Sequence, residues 1–292
     1  MAQKDRLTQG VVTCATPVLT IGGLTALSAP PGVTLDKARS ASVDVEHAAV
    51  MSARPSIRFS SLSIADVLAS CGVSGLECTT LKAIFQRLVP YGTRSSANAQ
   101  SISLAKAYML PRTIQASQEA PATIDVEAFA ISTDGADPTT LSAADTLPAG
   151  AGASEVFTMG PVNINGVSYD LESGSLDFGI AEQVEASEGH AFAEQAWIET
   201  RDATFTLASR TAYTLNDLGI VGEELTAFSW YLRKLEEYGT RVANGTSEHV
   251  KFTCTGYVHV DDVSADPNTR MNTAIMVTPV GAITIDETSA IT

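Results

Sequence analysis

Residues 71–94 read CGVSGLECTTLKAIFQRLVPYGTR, and residues 218–241 read LGIVGEELTAFSWYLRKLEEYGTR. Set side by side at a constant offset of 147, they agree at nine of 24 positions. The identities are Gly72/Gly219, Gly75/Gly222, Glu77/Glu224, Thr79/Thr226, Leu88/Leu235 and the tetrapeptide Tyr91-Gly92-Thr93-Arg94/Tyr238-Gly239-Thr240-Arg241. Val73/Ile220 and Arg87/Lys234 keep type as well. Ungapped agreement at this level marks a tandem duplication, and a repeat decides the fold before any local reading does.

Working outward, Val18-Leu19-Thr20-Ile21-Gly22 matches Val156-Phe157-Thr158-Met159-Gly160. Gly32-Val33-Thr34-Leu35-Asp36 then matches Gly166-Val167-Ser168-Tyr169-Asp170, and Ser42-Val43-Asp44-Val45 matches Ser175-Leu176-Asp177-Phe178. On this matching Asp44 precedes Gly72 by 28 residues and Asp177 precedes Gly219 by 42, which predicts a longer excursion near residues 180–200 in the second copy. Residues 133–154 are small, polar and rich in Gly, Pro and Ala, and read as a linker or an exposed loop at a domain boundary. The expected organisation is a first β domain over 1–132 with an N-terminal arm, a linker over 133–154 and a second β domain over 155–292.

Local patterning points to strands. Val250, Phe252, Cys254, Val258 and Val260 alternate with His249, Lys251, Thr253, Thr255, Tyr257 and His259, the period of a strand with one buried face. Ile102 to Leu110, Ile124 to Ala130 and residues 272–285 follow the same rule. Residues 17–25 and 32–45 read as two strands joined by a Pro30-Pro31-Gly32 turn, and 56–60 as another short strand. Ser63 to Ala69 predicts a short helix stopped by Gly72, and Thr211 to Leu218 its counterpart stopped by Gly219. The expected fold is mainly β: two tandem sandwich or partial-barrel units, each with one short helix.

The chain has 292 residues, 45% hydrophobic, enough to bury two cores, and holds no apolar run long enough for a membrane helix. The start MAQKDRLTQG lacks the apolar core of a signal peptide, so synthesis in a cytoplasm is expected. Cys14, Cys71, Cys78 and Cys254 show no CxxC spacing and read as small buried residues, not as a disulfide framework or zinc site. A net charge of −15 argues against gripping a phosphate backbone. Between Asp170 and Glu199 there are eight carboxylates and no Lys or Arg. That stretch reads either as a solubilising surface or as a face kept negative so that nucleic acid slides past.

No pattern specifies chemistry. The four histidines are scattered, and His259 beside Asp261 and Asp262 reads as a solvated strand end before a cation site. A nucleophile elbow, a phosphate loop and a dinucleotide fingerprint are all missing from the sequence. Trp230-Tyr231 lacks interleaved basic residues, so it reads as core and not as a stacking platform. The expectation is a protein that is not an enzyme, with no cofactor and no metal.

The duplicated β unit, its helix, the Tyr-Gly-Thr-Arg turn and the acid excess together resemble the tail tube proteins of long-tailed bacteriophages. That resemblance implies a structural virion protein made in the bacterial host cytoplasm and built into the phage tail. It implies stacked rings around a channel that holds the tape-measure protein and later passes DNA without specific binding. Two units per chain would make the ring a trimer with pseudo-six-fold symmetry. On this resemblance hairpins at 32–45 and 167–180 would line the lumen, with Asp36, Asp44, Asp170, Glu172 and Asp177 as the wall, more acidic in the second copy. The excursion with Glu182, Glu185, Glu188, Phe192 and Trp197 would reach a stacked ring. Arg94 and Arg241 would form structural ion pairs with Glu77 and Glu224. Another tail ring component, such as a terminator or a baseplate-proximal ring, fits the same texture. A surface-binding β protein or adhesin would call for more than 6% aromatic residues.

Overall fold

The period-two patterning folds as strands throughout the computed structural model, which describes residues 6–38, 47–88, 94–148, 152, 155–169, 171–187, 189–209, 221–236, 240–264 and 272–292. The first half contains β1 (Arg6–Thr16), β2 (Leu19–Ile21), β3 (Leu24–Ser28), β4 (Val33–Ala38), β5 (His47–Ala53), β6 (Ser56–Ser61), α1 (Ile64–Cys71), β7 (Leu76–Leu88), β8 (Arg94–Ser117), β9 (Thr123–Ala130) and β10 (Thr139–Asp145). The second contains β11 (Val156–Ile164), β12 (Val167–Tyr169), β13 (Ser173–Asp177), β14 (Ile180–Glu185), β15 (Gln195–Arg201), β16 (Thr204–Ser209), β17 (Glu223–Leu235), β18 (His249–Ser264) and β19 (Asn272–Ser289). The protein is mainly β, with one helix among the described residues.

The halves repeat one strand order. Antiparallel neighbours run β2-β1-β7-β8-β9-β6-β3 in the first and β12-β11-β17-β18-β19-β16-β13 in the second, and each half adds a separate hairpin, β4–β5 or β14–β15. β7 and β17 have the same length and start 147 residues apart, at Leu76 and Glu223. The irregularities repeat as well. The β8–β9 ladder shifts register between Pro111 and Thr113, and the β18–β19 ladder between Val260 and Asp262. The two hairpins shift between Thr34 and Leu35 and between Ala181 and Glu182. A bulge is a local backbone solution that independent strands have no reason to share.

Two glycine pairs mark the same correspondence. A Cβ on Gly10 would lie 2.1 Å from Ile84 O, and one on Gly160 would lie 2.6 Å from Tyr231 O, at matching bulges. Gly32 and Gly179 carry φ of 57° and 55°, and each carbonyl accepts a backbone N–H across its hairpin, from Arg54 at 3.1 Å and Asp202 at 3.0 Å. Positive φ and a facing carbonyl leave room for glycine alone.

These registers correct the upstream matching of blocks. Residues 156–160 begin β11, the counterpart of β1, so Thr8-Gln9-Gly10-Val11-Val12 is the true partner of Thr158-Met159-Gly160-Pro161-Val162. Likewise Gly32 corresponds to Gly179, not to Gly166, which turns between β11 and β12. The excursion at 180–200 is therefore no insertion: it is β14–β15, the counterpart of β4–β5. The Pro30-Pro31-Gly32 segment does not close a hairpin either, because β3 pairs with β6 and β4 with β5.

Residues 133–154, expected as a linker, contain β10, which extends the first half's sheet from Thr139↔Leu104 to Asp145↔Ala99. Asp145 accepts from Ser101 and, at 3.1 Å, from Lys82, and these bonds hold its carboxyl below the usual range. Helix α1 ends as its sequence predicts, with Gly72 at φ 54° donating its N–H to Leu68 O at 2.7 Å. Ile64, Val67, Leu68 and Cys71 face inward. The expected second helix, Thr211 to Leu218, lies outside the described residues.

One hydrophobic cluster runs through both halves, from Val12 to Ile283. Its second-half portion centres on Trp230, with Phe205 edge-on at 5.8 Å and Phe252 stacked at 5.3 Å between centroids. Trp230 and Tyr231 are both buried, the core reading of that pair. The cysteine reading needs correction: Cys14 and Cys78 form a disulfide, their Cα atoms 6.0 Å apart. Strand pairing brings them together, with Cys14 opposite Leu81 and Thr16 opposite Thr79. Cys71 and Cys254 are free and buried, and desolvation pushes both thiols up to about 12, so they are unreactive.

Candidate functional site

The halves are joined by strand pairing. β13 of the second half lies between β16 of its own half and the C-terminal end of β8 in the first, with Ser173↔Ser117, Leu176↔Ile114 and Asp177↔Thr113. β8 reaches this far because it is 24 residues long and pairs with β7 only up to Met109. A continuous eight-stranded sheet results, β3-β6-β9-β8-β13-β16-β19-β18.

One face of that sheet packs on the core through Phe59, Val126, Ile114, Leu176, Leu207 and Ile275, all buried. The alternation of a strand then commits the opposite face to Ser60, Asp125, Thr113, Gln115, Ser175, Asp177 and Thr206, exposed or half-buried. Most of these side chains are short. Asp125 accepts from Ser60 and, at 2.8 Å, from Thr113. Shallow grooves run along this face, one over Ser117, Ser175 and Thr206 and another over Ser28, Arg58 and Asp125.

The joint carries an ionic cluster. Glu182 on β14 accepts from Arg54 at 2.5 Å and Arg112 at 2.8 Å, and Glu127 accepts from Arg112 at 2.8 Å and Arg58 at 2.8 Å. Arg112 also donates to Ile180 O at 2.8 Å, and the Arg54 guanidinium sits 4.6 Å from the Phe129 ring centroid. Burial alone would raise the Glu182 carboxyl, but the hydrogen bonds from Arg112 and Arg54 outweigh it and hold the group below the usual carboxylate range. The rest of the β14–β15 hairpin docks through backbone, Ala53 N to Ala191 O and Ser132 N to Ala193 O, each 2.7 Å. His190 lies so close over Gly135 that a Cβ there would meet it.

The residues singled out from sequence are spread over several surfaces. Asp177 is exposed on the polar face of the eight-stranded sheet. Glu172 is a half-buried bend residue just before it, and Asp36 is exposed on β4, away from that sheet. Asp44 and Asp170 lie outside the described residues. Residues 167–180 form no hairpin with themselves, since β12 pairs with β11 and β13 with β16 and β8. Glu182 and Phe192 face the first half, Phe192 bridging to Ala53, while Glu185 and Trp197 are exposed on the hairpin. Glu188 is outside the described residues. Tyr91, Gly92, Thr93, Tyr238 and Gly239 are also outside them, and of Arg94 only the backbone, at the start of β8, is described. Thr240 is exposed, with its carbonyl accepting from Glu236 N. Arg241 donates to Gln118 at 2.8 Å in place of the expected Glu224, and Glu77 pairs with Lys106 at 3.0 Å, while the expected pair of Arg94 falls on a side chain outside those described.

Sequence reading missed Arg54, Arg112 and Glu127, whose partners are 15 to 128 residues away. No group of three or more His, Cys, Asp or Glu residues among those described could hold a metal. No helix among the described residues is long and apolar enough to cross a membrane. No protein-family model matches the chain, and no curated protein matches it.

Proposed function

We propose that this chain is a structural virion protein, a bacteriophage tail tube subunit with two tandem tube-like domains. Three chains would form a ring of six quasi-equivalent units, and rings would stack into a tube in the tail. The observation that carries this reading is the repeated strand order, two like units sharing one sheet that no other described strand extends at β3 or along β18 beyond Val258, where its pairing with β17 ends. An open sheet edge exposes unpaired N–H and C=O groups, and closure into a ring removes every edge.

The dimensions support a channel. Eight strands from each of three chains, about 4.8 Å apart, enclose a barrel on the order of 40 Å across, well past the size that side chains fill. The polar face suits a lumen for the tape-measure protein and then DNA. Its arginines, Arg58 and Arg112, are held by Glu127, and its remaining side chains are mostly Ser, Thr and Asp, which offer a phosphate backbone little to bind. On this reading Asp177 lines the channel, and neither catalysis nor a cofactor is part of the role.

Electron microscopy of the purified protein tests it. Long hollow tubes support a tube subunit, whereas rings that never stack would make it a terminator or a baseplate-proximal ring. Monomers in every condition, with binding to cell-surface glycans, would replace the proposal with an adhesin.

A further inference from the structure

The joint inside the chain has a counterpart that no described strand of the chain fills. By the shared register, Thr113, Ile114 and Gln115 of β8 correspond to Asp262, Val263 and Ser264 of β18. Ile114 is 0% exposed because β13 covers it, while Val263 is 48% exposed, and no described strand pairs with β18 on that side. At the other end of the sheet, β3 corresponds to β13 but, among the described residues, pairs only with β6. The hairpins differ in the same sense. Glu182 is half-buried against the first half, its side chain 11% exposed, whereas its counterpart Leu35 and nearby Met51 are exposed residues.

We propose that a second copy of this chain fills the gap: its β3 pairs with β18 in the register of β13 on β8, Ser28 opposite Ser264 and Ala29 opposite Val263, while its β4–β5 hairpin docks beside Asp202 and Asp261. The inference rests on the self-assembly reading above and specifies the contact that assembly uses. It is heterologous, so it repeats from molecule to molecule until the ring closes. Charge agrees with the pairing. Where Arg54 and Arg112 receive Glu182 inside the chain, the second half presents Asp202 and Asp261, and the β4–β5 hairpin brings exposed Lys37 beside Leu35. Both partners have changed together, so each hairpin fits its own receiving surface and is repelled by the other. Pro31 stands where Phe178 donates its N–H to Arg112 O at 3.0 Å, so strand addition ends at Ala29.

Ser28→Cys combined with Ser264→Cys tests the register, since opposed residues of antiparallel strands lie within disulfide reach. Both positions are exposed, so the variant keeps the fold. On oxidation most of the assembled protein should become covalent trimer, and neither single variant should cross-link. Val263→Asp should leave the melting temperature of the isolated chain unchanged and abolish assembly. Rings or tubes that form without the cross-link would overturn this interface and leave the tube reading standing. Absence of any assembly would overturn both.

Discussion

Ile114 and Val263 hold the same place in the two halves, on strands with the same bulge, yet one is sealed by a neighbouring strand and the other is bare. The difference comes from position along the chain and not from side-chain character, since both residues are β-branched and apolar. A first unit followed by a second has one of its surfaces filled covalently. In the proposed assembly the second unit finds the same complement in another copy of the chain.

The comparison extends to how each core is stabilised. Trp230 occupies the place of Ala83, and Ile164 and Leu225 the places of Cys14 and Cys78. The second half is filled by aromatic volume where the first is tied by a disulfide. Trp230→Ala should therefore have the largest effect, a loss of about 3–5 kcal/mol in urea unfolding. A smaller loss would mean that the second half tolerates a cavity its packing does not suggest. Reduction of Cys14–Cys78, whose separation is 64 residues, should lower stability by about 2–4 kcal/mol, with Cys14→Ile/Cys78→Leu recovering part of it in the manner of the second half.

The ionic joint comes next in size. Glu182→Gln should cost about 1–2 kcal/mol near neutral pH, whereas Leu35→Gln, at the bare counterpart, should cost under about 0.5 kcal/mol in the isolated chain. The pH dependence separates charge from packing. The folded carboxyl of Glu182 sits below the ordinary glutamate value of 4.5, so its contribution is complete above that pH and is lost as pH falls through the lower folded value. Stability curves of wild type and Glu182→Gln should converge under acid, and parallel curves would assign the loss to packing. The smallest effect is expected for Val263→Ser, within about 0.5 kcal/mol for the isolated chain, because an exposed side chain loses nothing until a partner covers it.

Much of the fold is legible in the residues. The Tyr-Gly-Thr-Arg match and its offset locate β7 and β17, period-two alternation locates β8, β9, β18 and β19, and Gly72 stops α1 where expected. The upstream matches went astray because strings such as VLTIG and VFTMG are degenerate: apolar, Thr and Gly residues suit any strand of such a protein. The better signal was present in Thr8-x-Gly10-x-Val12 against Thr158-x-Gly160-x-Val162, where glycine marks a bulge under a facing carbonyl. His249 shows another limit. Alternation assigns it to the solvent face, but it is buried, with Nδ1 accepting from Lys234 N at 3.1 Å and Nε2 bonded to Ala243 O at 3.1 Å.

By itself, the sequence determined that the chain is mainly β and that it holds two related segments, because side-chain period and repeated residues are local properties. Only the tertiary structure decided which blocks correspond, that Cys14 meets Cys78, and that β13 crosses to β8 beside an Arg54–Glu182–Arg112 cluster. Those are pairings between strands far apart in the chain. Their register is set by hydrogen bonds and burial across the sheet, which no short stretch of residues encodes.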